Sequence, residues 1–280
     1  MLKISLLGVG LMGAPMSRRL LGAGHALTVW NRSPDKAQAL VAHGARLAPT
    51  PAQAVQEADL VITMLTDGHA VGQVLFGPAG DSAAQGLRPG TLVIDMSSIL
   101  PEEARAHAAK LSALGVASLD APVSGGTLGA EAGTLAIMAG GSTADFERAR
   151  QVLEVLGRPV HVGPIGSGQL TKLANQMIVG ITIGAVAEAL LLAEQGGADP
   201  TKVREALRGG FAESRILEVH GQRMVDGDFA KRGSLGIQLK DLRNALHTAQ
   251  ARAFEPPISA HLTDLCAQAA PERLSDLHQS

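Results

Sequence analysis

The stretch KISLLGVGLMGAPMSRRL, residues 3–20, constrains the fold more than any other part of this 280-residue chain. An apolar strand-like run, 3–8, leads directly into Gly8-x-Gly10-x-x-Gly13, and a helix-like run follows. Strand, then spaced glycines, then helix is the order a dinucleotide-binding turn requires. Gly8 permits the tight turn, Gly10 lets a pyrophosphate approach the backbone, and Gly13 lets the helix lie close on the sheet. Leu11 and Met12 belong to the same turn. The helix start then offers N–H groups and a partial positive charge to phosphates. The first thirteen residues also mimic a secretion signal. The glycines interrupt the apolar run, and Arg18 and Arg19 follow where a small-residue cleavage pattern would be needed, so no leader is expected.

Further apolar runs recur at 26–30, 60–65, 91–96, 116–123, 134–141 and 158–163. Segments rich in Ala, Leu, Arg and Glu lie between them, such as 101–114, which opens on Pro101 at a first-turn position. This alternation predicts a parallel sheet covered on both faces. After about Gly166 the strand signals stop. A long helix opens there, and further helices are expected over 200–208, 212–226, 237–252 and 256–269, with a loop over 227–236. The expected fold is α/β: a Rossmann-type, doubly wound sheet in residues 1–163 and an all-α domain in 164–280, joined by a long interdomain helix. The break falls among the glycines and proline of 163–168. Within the long helix, 177–193 carries Glu188 as its only charge. It is about one residue short of a membrane span of about 18 and contains two glycines. A helix buried on all sides within a soluble protein is the expectation.

Composition removes several chemistries. A formal net charge of −2 leaves no basic excess for nucleic acid. There is no tyrosine, so no tyrosine hydroxyl can serve as proton donor. A single cysteine, Cys266, permits no internal disulfide and fits a reducing cytoplasm. The nine histidines lack ligand spacing, so no metal site is expected. No Gly-x-Ser-x-Gly elbow supports a serine hydrolase.

Four groups of residues remain as candidates. The second strand ends at VWNRSPDK, where a cofactor lacking a 2′-phosphate usually meets a carboxylate. Asn31, Arg32 and Ser33 stand there instead; Asn31 does not repel a phosphate, and Arg32 can pair with one. NADP(H) is therefore preferred, with NAD(H) as the alternative. The turn Ser124-Gly125-Gly126 offers a hydroxyl and backbone N–H groups to a small anion, or is an ordinary turn. Lys172 and Asn175 lie three apart and share a helix face. A free lysine, with a pKa of about 10.4, exchanges protons poorly at neutral pH; partial burial would lower it and suit it to general acid–base work. Lys240 and Asp241 form a charge pair that is a solvated face unless their helix folds over a cleft.

Together the phrases GVGLMGAPMSRRL, VITML, VIDMSSILP, LDAPVSGGTLGAEAGTLAIMAGG, GSGQLTKLANQ and LKDLRNAL resemble the β-hydroxyacid dehydrogenase family, whose members include the 3-hydroxyisobutyrate dehydrogenases. The resemblance covers nearly the whole chain, and IDMSSI, TKLANQMIV and ALRGGFAES look nearest to its tartronate semialdehyde reductase branch. It implies that Lys172 is the catalytic acid/base and Asn175 its assistant. Ser124, Gly125 and Gly126 would bind the substrate carboxylate, and Lys240 would reach cofactor or substrate. Met64, Leu65 and Ser97 would line the dinucleotide. The long helix would pack against a second subunit in a homodimer or homotetramer built through the helical domain. Relatives continue with another helix after the segment resembling LSDLHQS, so the second domain looks short at its C-terminus.

The implied activity is reversible, NAD(P)-dependent interconversion of small 3-oxo (semialdehyde) acids and 3-hydroxy acids. Tartronate semialdehyde, giving D-glycerate, is the first substrate expected; succinic semialdehyde or glyoxylate and then 3-hydroxyisobutyrate follow. A small carboxylic acid is the expected partner, with neither nucleic acid nor membrane. Imine reduction is a second reading; relatives of that kind generally replace the lysine, so Lys172 argues against it. An NADPH-binding protein without turnover is the third.

Overall fold

The computed structural model describes residues 1–77, 81–228, 230 and 235–269. Part of the loop expected over 227–236 and the segment LSDLHQS lie outside them. The chain divides into two compact units, Met1–Lys172 and Leu173–Ser280.

The first unit alternates strands and helices. Its order is β1 (Lys3–Leu7), α1 (Gly13–Gly22), β2 (Ala26–Trp30), α2 (Asp35–Val41), β3 (Arg46–Leu47), α3 (Pro51–Val55), β4 (Leu60–Thr63) and α4 (Gly68–Phe76). It continues with β5 (Leu92–Asp95), α5 (Pro101–Ala113), β6 (Ala117–Asp120), β7 (Val123–Ser124), α6 (Gly126–Ala132), β8 (Leu135–Gly140), α7 (Thr143–Leu156) and β9 (Gly157–Gly163). The strands form one sheet in the order β3-β2-β1-β4-β5-β6-β8-β7, with β9 paired to β8.

The period-two geometry of a strand explains how one sheet serves two cores. Ile4 and Leu6 of β1 join Leu60, Ile62, Leu92 and Ile94 in one buried cluster. Leu7, Val61 and Val93 point the other way and join a second cluster with Val71, Leu75 and Leu111. Both faces are therefore covered, as the near-continuous apolar strands require. The sheet departs from the all-parallel expectation at one end. β3 to β6 run parallel, but β8 is antiparallel to both β6 and β7. The run 116–123 is two strands, split at Ala121 and Pro122; proline has no N–H to give to a ladder.

α8 (Ser167–Gln195) begins in the first unit and continues into the second. Its start is held by a residue 46 positions before Gly166. Asp120, at the end of β6, accepts hydrogen bonds from Gly166 N on Oδ1 and Gln169 N on Oδ2, each 2.7 Å. The carboxylate thus satisfies N–H groups that no helical carbonyl can reach, and its charge suits the positive end of the helix. A side chain at Gly168 would run into the carbonyls of Met138 and Asp120, so the helix start lies directly on β6 and β8.

Among the described residues, the regular elements of the second unit are all helices. α9 (Pro200–Leu207) is capped by Asp199, which accepts from Thr201 N at 2.8 Å. A π-helical turn, Leu217–Gly221, runs into α10 (Gln222–Val225). Ser214 Oγ accepts from Leu217 N at 3.0 Å, which moves this helix start later than the expected 212. α11 (Leu235–Gln250) and α12 (Pro257–Ala269) complete the unit. Val186 and Leu190 of α8 pack with Leu217, flanked by Val203, Leu207 and Met224. The expectation that α8 is buried on all sides is corrected. Ile178, Leu191 and Leu192 are 67%, 54% and 74% exposed, because only one stripe of the helix feeds this core.

Asp120 is 1% exposed, and burial pushes its carboxyl from 3.8 up to about 6, against the opposing pull of its two N–H donors. The native state therefore binds more protons than the unfolded chain between pH about 4 and 6, and stability contributed at this site falls as pH rises through that window. In Asp120→Asn the titration is gone. The urea midpoint of the wild type should gain on that of Asp120→Asn as pH is lowered from 7 to 5. A gap that narrows on acidification would mean that the N–H donors, not burial, govern the carboxylate.

Candidate active site

The parallel ladders set the first half of the site. Leu7 is in register with Trp30 and Thr63, Thr63 with Asp95, and Asp95 with Asp120. The residues that follow these strands therefore emerge side by side along one edge of the sheet. That edge includes the reversal of strand order between β1 and β4, the place where open α/β sheets take their ligands. Gly8, Asn31, Met64, Leu65 and Ser97 all lie on it.

The glycine loop has the form predicted for it. Gly8 has φ +109°, and a side chain there would strike the Met64 carbonyl and come within 2.9 Å of Leu65 Cδ2. A side chain at Gly13 would strike the Gly8 carbonyl, so α1 could not approach the turn. Gly10 faces open space, and Leu11 is 76% exposed. No side chain caps the N-terminus of α1, whose cap position is Met12. A cradle with two positions closed to side chains and one left open fits a dinucleotide pyrophosphate at a helix start.

Asn31 is used internally. Its Oδ1 accepts from Val9 N and its Nδ2 donates to the Ser33 carbonyl, both at 2.9 Å. The side chain thus ties the glycine loop to the exit of β2, a role the sequence did not suggest. Arg32 and Ser33 beside it are exposed.

A polar network runs from the next two strand ends to α8. Asp95 Oδ1 accepts from Thr63 Oγ1 at 2.7 Å and from Ser97 N at 3.0 Å. Burial pushes the Asp95 carboxyl up. Ser97 Oγ accepts from Leu65 N at 2.9 Å. The Gln169 amide then donates to the Ser97 carbonyl at 2.8 Å and accepts from Ile99 N at 3.1 Å. Lys172 follows three residues later on the same helix and is 8% exposed. Ser124 lies on β7, paired with Ala136 of β8, and Gly125 and Gly126 turn the chain into α6 with φ of +138° and +61°.

The second unit carries its own chain of contacts. Asn175 Nδ2 donates to Gln176 Oε1 at 2.8 Å, and Gln176 Nε2 donates to Asp241 Oδ2 at 2.7 Å. Asp241 Oδ1 lies 2.8 Å from Lys240 Nζ. Asp241 is 1% exposed, so the solvated-face alternative for this charge pair does not hold. Asn175 and Lys240 are thereby linked through Asp241 and through Gln176, which sequence reasoning passed over. Among the described residues no group of three or more His, Cys, Asp or Glu could hold a metal ion.

The chain resembles known proteins along nearly its full length. Residues 3–166 match the family described as the NAD binding domain of 6-phosphogluconate dehydrogenase. Residues 166–280 match the one described as NAD-binding of NADP-dependent 3-hydroxyisobutyrate dehydrogenase. The 2-hydroxy-3-oxopropionate reductase of Escherichia coli (strain K12) is 44% identical over 265 residues, spanning 94% of this chain and 90% of that protein. The 3-hydroxyisobutyrate dehydrogenase of Pseudomonas aeruginosa is 38% identical, spanning 97% and 94%. Among solved structures, Mycobacterium tuberculosis 3-hydroxyisobutyrate dehydrogenase with L-serine superposes with a TM-score of 0.87 at 35% identity, over 97% of this chain and 94% of that one.

Proposed function

The chain belongs to the 3-hydroxyisobutyrate dehydrogenase-like β-hydroxyacid dehydrogenases, and from that premise we propose that it reduces tartronate semialdehyde to D-glycerate with NADPH. That it is an NAD(P)-dependent hydroxyacid dehydrogenase follows from the family; the substrate, the cofactor preference and the residue roles are our reading. The observation that carries it is Lys172, 8% exposed, one turn beyond a helix start bonded to the strand-end loops of the sheet.

Gly8, Gly10 and Gly13, with Leu11 and Met12, would hold the pyrophosphate, and Met64, Leu65 and Ser97 would line the nicotinamide half. When bound, the cofactor supplies hydride to the aldehyde carbon and takes it back in the reverse direction. The protein's part is the proton and the geometry. The Lys172 ammonium gives a proton to the aldehyde oxygen as negative charge develops there, and the neutral amine recovers it from the hydroxyl in oxidation. The Ser124-Gly125-Gly126 turn holds the substrate carboxylate, which fixes the carbonyl in one orientation; such positioning is a large part of any rate enhancement. Asn175 steadies the lysine or the substrate oxygen, and Lys240 adds a cation for cofactor or substrate. The relative of 44% identity favours the three-carbon semialdehyde. The mycobacterial structure holds L-serine, itself a three-carbon 3-hydroxy acid. Succinic semialdehyde, glyoxylate and 3-hydroxyisobutyrate are the next substrates to test.

We also read the exposed apolar face of α8 as a subunit interface within a cytoplasmic homodimer or homotetramer. The helix is long and apolar enough to cross a membrane. However, one stripe of it already serves the core of the second unit, which favours a protein partner for the remaining face.

Three measurements test this reading. Lys172→Ala should lower kcat with tartronate semialdehyde by roughly 10²–10⁴-fold, the span of general acid–base catalysis, while NADPH binding by fluorescence titration stays near wild type. Joint loss of both would mark Lys172 as structural. In Arg32→Ala, kcat/KM with NADPH should fall while that with NADH holds, since only the 2′-phosphate differs; an unchanged ratio would show that Arg32 does not read it. Leu192→Glu should shift the mass in solution, by light scattering, towards the monomer. A wild-type monomer would remove the interface.

A further inference from the structure

We propose that Gln169 is a positioning residue that sets Lys172 against the loop carrying Ser97. The proposal rests on the reading of Lys172 as proton donor and of Ser97 and Leu65 as cofactor-lining residues.

Gln169 is fully buried, and its amide is used at both ends. Nε2 donates to the Ser97 carbonyl, and Oε1 accepts from Ile99 N. These are the acceptor and donor that a neighbouring strand would have paired. A primary amide on a side chain of this length can meet both; a carboxylate only accepts, and a thioether donates nothing and accepts weakly. Its backbone N–H is separately held by Asp120. Three residues along a helix bring Lys172 onto nearly the same face, about one turn higher.

The loop at the other end of the amide is equally fixed. Ser97 N is bonded to Asp95, which Thr63 also serves, and Ser97 Oγ receives Leu65 N. The exits of β4 and β5 and the first turn of α8 are therefore one hydrogen-bonded piece. Folding of α8 does not depend on this bridge alone, because Asp120 already caps the helix and Gly168 already seats it on the sheet. What the glutamine adds is a fixed distance between the helix that bears the amine and the loop expected beside the nicotinamide. Misplacing reacting groups by about 1 Å costs about 10²-fold in rate.

The test compares wild type, Gln169→Met, Gln169→Glu, Lys172→Ala and Leu153→Ala, the last a core truncation in α7 that lowers stability without touching the network. NADPH affinity is measured without substrate, amide hydrogen exchange is followed across 163–175, and kcat and KM are determined across pH. Gln169→Met should bind NADPH like wild type and exchange faster in the first turn of α8. Its kcat should fall by roughly 10–100-fold with little change in KM. Gln169→Glu keeps the bond from Ile99 N and should lie between the two, with a displaced pH profile from the added charge; it carries the comparison if Gln169→Met does not fold. Faster exchange with unchanged kcat would overturn the proposal, as would a kcat loss no greater than that of Leu153→Ala. If Lys172→Ala keeps full turnover, the assignment of the proton donor fails first, which separates that failure from this one.

Discussion

The site depends on one buried carboxylate at the end of a strand. Asp120 receives two backbone N–H groups from the turn that starts α8, and through them a 29-residue helix takes its origin from the sheet. Burying an anion is costly unless donors meet it. Here the donors belong to a helix start, which would otherwise leave them unsatisfied. Each side reduces the other's penalty, and the carboxyl still sits near 6 because burial outweighs the N–H groups. The interaction connects the edge of the sheet to the amine-bearing helix through backbone atoms, the least mobile partners available.

The same economy recurs along the sheet edge. Asn31 holds the glycine loop to the exit of β2, Ser97 holds the exits of β4 and β5 together, and Gln169 continues the line into α8. None of these side chains needs to touch a substrate. They convert loops, which are ordinarily the variable part of an α/β fold, into a surface with fixed spacing. Acid–base and hydride chemistry need such spacing, because the reacting atoms must meet within a fraction of an ångström.

Much of this was legible in the sequence, for reasons that are local. The glycine turn could be read because strand, spacing and helix are adjacent in the chain. The two-part architecture could be read because strand periodicity stops abruptly near Gly166. Lys172 stood out as a cation heading an apolar helix. What could not be read depends on distant pairs. Asp120 was not singled out, because its partners lie 46 and 49 positions away. Gln169 was one more polar residue in GSGQLTK, and Asp241 looked like half of a surface charge pair. The antiparallel end of the sheet escaped because a single apolar run, 116–123, holds two strands. The residue pattern did not show which face of α8 the chain leaves exposed, because a uniformly apolar helix carries no pattern to say which sides are covered; only the family resemblance implied a second subunit there.

The continuity of α8 has a consequence for the chemistry. The boundary between the two units falls between Lys172 and Leu173, yet the helix runs on unbroken. Lys172 and Asn175 are thus mounted on a single stiff rod, separated by about 4.5 Å of axial rise. That interval is set by the hydrogen bonding of the helix backbone rather than by a loop, so an inserted or deleted residue between them would swing one side chain about 100° around the axis from the other.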